Sequence, residues 1–161
     1  MQSVVFSYIR ANPPTKGHRM LIEQVIETAR SANKMPIIVV SHSTGNAKNP
    51  LPVENKVRIL KRWFPNVTIM ASSKDKSIAK IAQNFNKNSI MVLGQNRENA
   101  FSFLPFKKIA ISRPPGAVSA TMARAAALAN NKAAFKNMTG YNLTPNLRNK
   151  VVKAAASGKK K

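Results

Sequence analysis

Short apolar runs alternate along this chain with stretches in which apolar side chains recur at helical spacing. Val4-Val5-Phe6-Ser7-Tyr8-Ile9 is rich in β-branched and aromatic residues and predicts a first strand. Arg10 to Lys16 holds Pro13-Pro14 and predicts a loop. From about Gly17 to Ser31, Leu21, Val25 and Ala29 follow the period of a helix, with Ile22 and Ile26 beside them. Met35 to Val40 predicts a second strand and Ser41 to Pro52 a polar loop. Val53 to Phe64 predicts a helix, with Val57, Leu60 and Phe64 on one side and Pro65-Asn66 as its stop. Val67 to Ala71 predicts a third strand, and Ser77 to Asn86 a helix that turns Ile78, Ile81, Ala82 and Phe85 inward. Ser89 to Leu93, ending in Gly94, predicts a fourth strand, Glu98 to Phe103 a short helix, and Lys107 to Ile111 a fifth strand. Ser119 to Ala129 is an alanine-rich helix, and a short helix includes Ala133 to Met138. Thr144-Pro145 forms a cap and first-turn pair for a last helix with Leu147 and Val151 inward. That helix is expected to fade through Ala154 to Gly158 into a disordered tail, Lys159-Lys160-Lys161.

Five apolar strands alternating with helices predict an α/β sandwich around a parallel sheet. In such sheets the ligand site lies at the carboxyl ends of the strands, where the strand order reverses. The loop from Arg10 to His18, after the first strand, and Gly94 to Arg97, after the fourth, are therefore expected at one site. There is no internal repeat, and no apolar run approaches the ~20 residues that span a bilayer. The amino-terminal stretch has no signal-type pattern.

Charge changes the picture. Lysine and arginine number 27 against five acids, a formal net charge of +22 on 161 residues. Residues 1–64 carry ten bases and three acids, residues 65–118 eight and two, and residues 119–161 nine bases with no acid. Beside a single aspartate, Asp75, stand 17 asparagines, which keep the hydrogen bonding of aspartate without its charge. This composition excludes a carboxylate-rich metal site and a mechanism built on paired carboxylates. With no cysteine there is neither a disulfide framework nor a thiol nucleophile, which fits a reducing compartment. A surface of this kind attracts polyanions, with nucleic acid the commonest. The few aromatic residues lie within apolar patterns, so the expected contact is with phosphates and not through a row of stacking platforms.

Two stretches carry candidate chemistry. In Arg10-Ala11-Asn12-Pro13-Pro14-Thr15-Lys16-Gly17-His18 two prolines stiffen a loop that enters a helix. Gly17 there lets a ligand approach the backbone closely, and the helix start offers N–H groups and a positive dipole end to an anion. In Ser119-Ala120-Thr121-Met122-Ala123-Arg124 two hydroxyls and a guanidinium gather on one helix start, a set suited to a polyphosphate. Taken singly, each reads more readily as an ordinary helix entry: a lone structural histidine in one, a serine cap with an exposed arginine in the other.

Taken together, the two stretches resemble the nucleotidyltransferases of the His-x-Gly-His superfamily. Arg10 to His18 is similar to their opening Arg-Phe-Asn-Pro-Pro-Thr-x-Gly-His, and Ser119 to Arg124 to their Ser-x-Thr-x-x-Arg signature. Asn49-Pro50-Leu51-Pro52 with Glu54 and Lys56 resembles their segment after the second strand, and Gly94-Gln95-Asn96-Arg97 with Phe101 their Gly-Ser-Asp-Arg segment. The likeness runs in order over roughly residues 3–138 and looks strongest to short cytidylyltransferase-like or adenylyltransferase-like proteins of phages and other large DNA viruses. Thr15 stands for the first histidine, Ile9 for a usual glycine, Ala11 for a usual phenylalanine and Asn96 for a usual aspartate, and the stretch from Arg113 to Val118 is short. Ile9 is expected to narrow the room for a nucleotide, Ala11 to loosen packing, and Asn96 to remove a negative charge.

The resemblance implies a Rossmann-like three-layer sandwich over residues 1–138, followed by a basic helical extension and lysine tail over residues 139–161. It implies transfer of a nucleoside monophosphate from ATP or CTP to a phosphate-bearing acceptor, with release of pyrophosphate and no covalent enzyme intermediate. Thr15 and His18 would touch the reacting phosphate, and Ser119, Thr121 and Arg124 would hold the leaving phosphates. Arg10, Asn12, Lys16 and Gly17 would line the phosphate approach, with Gly94 and Arg97 as outer contacts. Magnesium would arrive on the triphosphate, in keeping with the scarcity of carboxylates. A second reading is a basic protein on the same fold that binds nucleic acid or is packaged in a virus particle; otherwise the expected location is the cytoplasm.

Overall fold

The computed structural model describes residues 2–97, 99–112 and 119–159. Its strands are β1 (Val4–Ile9), β2 (Met35–Val40), β3 (Thr68–Ala71), β4 (Ile90–Gly94) and β5 (Lys107–Ile111). Its helices are α1 (Lys16–Ala32), α2 (Val53–Trp63), α3 (Ile78–Ala82), α4 (Ala120–Leu128), α5 (Lys132–Thr139) and α6 (Pro145–Lys159). All strand pairs are parallel and the order is β3-β2-β1-β4-β5. The chain therefore reverses direction across the sheet between β1 and β4. This is the Rossmann-like α/β architecture expected from the alternation of elements.

A parallel sheet covered on both faces buries its inner strands, which is why β1, β2 and β4 read as continuous apolar runs, whereas the edge strands leave Ala71, Lys107 and Ala110 exposed. On one face Val4, Phe6, Ile37, Val39, Met91 and Leu93 meet Ile78 and Ile81 of α3 together with Phe85, Phe101 and Phe106. Phe6 is fully buried, with the Phe85 and Phe106 rings at 5.0 and 5.4 Å. Its truncation to alanine is expected to cost about 3–5 kcal/mol. On the other face Val5, Ile9, Ile38, Val40 and Val92 pack on Ile22, Val25 and Ala29 of α1 and Leu60 of α2. A third, smaller core joins α4, α5 and α6 through Ala123, Ala127, Phe135, Leu143 and Val151.

The strand limits of β1, β2 and β5 coincide with those predicted. Three elements differ by more than one residue at an end. The helix expected over 77–86 is only Ile78–Ala82, because Phe85 leaves it to pack on Phe6, and the Asn86 N–H turns back to the Gln2 carbonyl at 2.8 Å. In place of one helix over 98–103 there are two 3₁₀ turns, Gln95–Arg97 and Asn99–Phe101, separated by Glu98, which lies outside the described residues. The last helix does not fade at Ala154 but continues to Lys159, since Ala154 is buried and alanine holds a helix well. Lys160 and Lys161, and the stretch 113–118, lie outside the described residues. Ala11 is 1% exposed within the second sheet core, held at a φ of 47°.

Candidate active site

At the carboxyl ends of β1 and β4 lies a cavity of about 440 Å³. Its floor comes from the strand ends, including Ser7, Ile9 and Gly94, and its rim from Arg10, Asn12, Gly17 and His18 on one side and Thr121 and Arg124 on the other. Arg97 and Phe101, whose guanidinium and ring centroid lie 5.4 Å apart, line it as well. The position follows from topology: neighbouring connections run to opposite faces of the sheet there and leave a crevice.

The two helix starts are tied together across this crevice. Ser119 caps α4 by accepting from the Met122 N–H at 3.2 Å, which places Thr121 and Arg124 on successive turns. The Arg124 guanidinium donates to the Thr121 hydroxyl at 3.1 Å and to the Asn12 carbonyl at 2.9 Å. At the other start Thr15 and His18 form a reciprocal cap of α1. The Thr15 N–H donates to His18 Nδ1 at 3.0 Å, and the Thr15 hydroxyl lies 3.1 Å from the same nitrogen. Because Nδ1 accepts, the neutral ring carries its proton on Nε2, where it is a donor.

Asn12 builds the frame. It is fully buried; its amide donates to the carbonyls of Leu51 at 3.0 Å and Ser43 at 3.4 Å, and its oxygen accepts from the Leu51 N–H at 2.8 Å. The side chain thus pins the loop after β1 to the loop after β2, and the bond to Asn12–Pro13 is cis. Its neighbour Lys56 is fully buried as well, donating to the carbonyls of Arg10, at 2.9 Å, and Ser41. Tyr141, from the connection between α5 and α6, donates its hydroxyl to the Pro14 carbonyl at 2.7 Å.

The electrostatics are one-sided. Burial, with the nearby Arg10 charge adding to it, pulls Lys56 down to about 8 and lowers Arg124 below the ordinary guanidinium range. Arg124 nonetheless stays cationic near neutral pH. Among the described lining residues there is no carboxylate to compensate Arg10, Arg97 and Arg124. A cavity that gathers cations in this way carries a positive potential that attracts anions.

Of the residues singled out in the sequence, Arg10, Asn12, Gly17, His18, Gly94, Arg97, Thr121 and Arg124 line this cavity. Thr15, Lys16 and Ser119 do not. Thr15 is fully buried behind His18, so in this arrangement it orients the imidazole and has no surface for a phosphate. Lys16 is exposed and runs toward Gly140, and Ser119 spends its hydroxyl on the cap. Asn12 has its carboxamide committed to Leu51 and Ser43, which leaves it a frame residue. Ile9 is 4% exposed and forms part of the floor. The Asn96 side chain lies outside the described ones.

Sequence patterning did not single out Ser7, on the floor with its hydroxyl buried and without a protein partner among the described residues. Nor did it foresee the burial of Lys56. A lysine on the helix face that also carries Leu60 was the available signal.

No family model matches the chain, and no curated protein matches it significantly. Solved structures share its fold. A macrolide-efflux protein from Streptococcus pneumoniae aligns at 15% identity over 89% of this chain and 66% of its own, with a TM-score of 0.61. A bifunctional NMN adenylyltransferase/ADP-ribose pyrophosphatase from Francisella tularensis, complexed with AMP and a manganese ion, aligns at 19% identity over 94% of this chain and 52% of its own, with a TM-score of 0.65. The chain thus spans about two-thirds of the first and about half of the second. Two neighbours with such different names on one architecture show the fold alone, and function must be argued from the site.

Proposed function

We propose that the chain is a nucleotidyltransferase that joins a nucleoside monophosphate from ATP or CTP to a phosphate-bearing acceptor. The observation that carries this is the placement of His18 on α1 and Arg124 on α4 around one cavity, with Arg10 beside it and no acid on its described walls. The adenylyltransferase among the structural neighbours, crystallised with AMP, supports the nucleotide as ligand. A mononucleotide acceptor is preferred to a sugar-alcohol or pantetheine phosphate, on the strength of Arg124 closing the Ser-x-Thr-x-x-Arg pattern.

In this reading an acceptor phosphate oxygen attacks the α-phosphorus of the triphosphate. A new P–O bond forms on one side while the P–O bond to pyrophosphate breaks on the other, and the electron pair leaves with the pyrophosphate. The chain's contribution is alignment and charge stabilisation. Arg124 and Thr121 face the leaving phosphates, and the His18 Nε2–H donates to a non-bridging oxygen of the reacting phosphate. Thr15 holds that imidazole in the donor tautomer. Arg10 and Arg97 draw the polyanion in. Magnesium fits as a passenger on the phosphates: the described walls offer hydroxyl and carbonyl oxygens and no cluster of metal-ligating side chains. Bound there, it would screen phosphate charge.

The test is pyrophosphate release from ATP or CTP with a panel of acceptors, preceded by thermal-shift screening to find the pair that binds. His18→Ala and Arg124→Ala are each expected to lower kcat at least about 100-fold, the scale of losing one positioned charge-stabilising donor. Equal pyrophosphate release by wild type and both variants, with every acceptor, would overturn the proposal.

No helix among the described residues is long and apolar enough to cross a membrane. The three cations of the cavity leave most of a net charge of +22 without a task in this reaction.

A further inference from the structure

A second cavity, of about 670 Å³, opens between α2 and the α5–α6 connection and shares no lining residue with the first. Arg19, Arg58, Arg62 and Lys136 line it, and no acid does so among the described residues. Arg58 and Arg62 stand one turn apart on α2, where like charges repel. Together with Lys136 they are exposed and make no ion pair among the described residues. Arg19 reaches Glu23 at 3.7 Å on the surface and lies over the Trp63 ring at 5.7 Å.

The wall behind these cations is aromatic and fixed. Trp63 and Tyr141, both half-buried, stand with ring centroids 5.8 Å apart. The Tyr141 hydroxyl is anchored on Pro14, and its ring also meets Phe135 at 5.6 Å. Asn55, Asn142 and Asn146 add amides that both donate and accept.

We infer that this groove binds the sugar-phosphate backbone of a nucleic-acid strand. Three of the four cations are arginines, whose forked donors match phosphate oxygens. An acidic polypeptide would satisfy the charge but has no use for an indole–phenol wall and adjacent amides, whereas a nucleic acid presents bases beside its phosphates. The groove gives a location to part of the excess charge that the first cavity leaves over, and it does not depend on the transferase reading.

Trp63 is the chain's single tryptophan, so its fluorescence reports this groove directly. Titration of the full chain with a short single-stranded oligonucleotide is expected to quench it. For four phosphate contacts the slope of log affinity against log salt should be about −3. Arg58→Glu/Arg62→Glu should weaken binding at least about tenfold and bring the slope near −1. Lys74→Glu/Lys87→Glu, the same charge change on exposed residues outside both cavities, should leave affinity within about twofold. Arg58→Gln/Arg62→Gln, milder for folding, should give an intermediate loss. The inference is overturned if the oligonucleotide leaves the fluorescence unchanged, if the two reversal pairs weaken binding equally, or if a poly-glutamate of matched charge quenches as strongly. Pyrophosphate release is a separate readout, so either proposal can fail while the other stands.

Discussion

The Arg124 guanidinium donates to the Asn12 carbonyl at 2.9 Å across a separation of 112 residues. This bond fastens the start of α4 to the loop after β1, and it aims a cation into the cavity while doing so. Replacing Arg124 by lysine keeps the charge and loses the fork that serves Asn12 and Thr121 together. Arg124→Lys should therefore retain more nucleotide affinity than Arg124→Ala, while both lower stability by about 1 kcal/mol, since the guanidinium is only half-buried. Isothermal titration with ATP and CTP, paired with urea unfolding, measures the two effects. Full retention of affinity in Arg124→Ala would remove the residue from the site.

Lys56 gives a pH signature. Its folded pKa of about 8 lies below the unfolded value of 10.5, so the unfolded chain binds the extra proton between these limits. Stability should rise with pH across that window, by on the order of 2–3 kcal/mol at most. Lys56→Met removes the titrating group and should lack the rise, besides stranding the Arg10 and Ser41 carbonyls. The difference in unfolding free energy between wild type and Lys56→Met, followed from pH 7 to 10.5, is the measurement. A difference that stays flat would place the ammonium in water.

Tyr141 shifts in the opposite sense. Burial raises its phenol well above the ordinary tyrosine range, so it favours the protonated folded state. Its contribution is intact below the unfolded value near 10 and is lost as pH climbs beyond it. Of the chain's two tyrosines, Tyr141 should ionise only as the protein unfolds in an alkaline ultraviolet titration. Tyr141→Phe should cost about 1–2 kcal/mol, because the Pro14 carbonyl loses its donor.

Asn12 accounts for one of the 17 asparagines in a way that composition did not anticipate. An aspartate of the same shape has no N–H to give Leu51 and Ser43, and its charge would be buried among carbonyls. Asn12→Asp is thus expected to destabilise the fold by about 3 kcal/mol or more, and Asn12→Ala by somewhat less. Thermal unfolding at neutral pH orders the two variants. If Asn12→Asp is the milder change, the carboxamide is not the clamp described.

Much of the architecture could be read from local pattern. Val4 to Ile9, Met35 to Val40 and Lys107 to Ile111 are apolar enough to mark their strands to the residue, and Ser119 marks its helix by a cap that works within one turn. Phe85 was legible as a core residue but not as a helix terminator, because what draws it out of α3 is Phe6, on another element. Motif spacing likewise brought His18 and Arg124 to attention. It could not tell that Thr15 is turned behind the imidazole or that Lys16 runs toward Gly140.

The amino-acid order alone determined the alternation of strands and helices, the excess of positive charge and the two loops that meet at the sheet's end, since periodicity, capping and charge are properties of neighbouring residues. Only the tertiary structure decided which side chains in those loops line the cavity and which became frame, and that Arg58, Arg62 and Trp63 share a groove with Lys136 and Tyr141. The reason is the reach of the interactions involved. Asn12 finds Leu51 39 residues away, Lys56 finds Arg10 across 46, and Tyr141 finds Pro14 across 127, and such partners are chosen by packing.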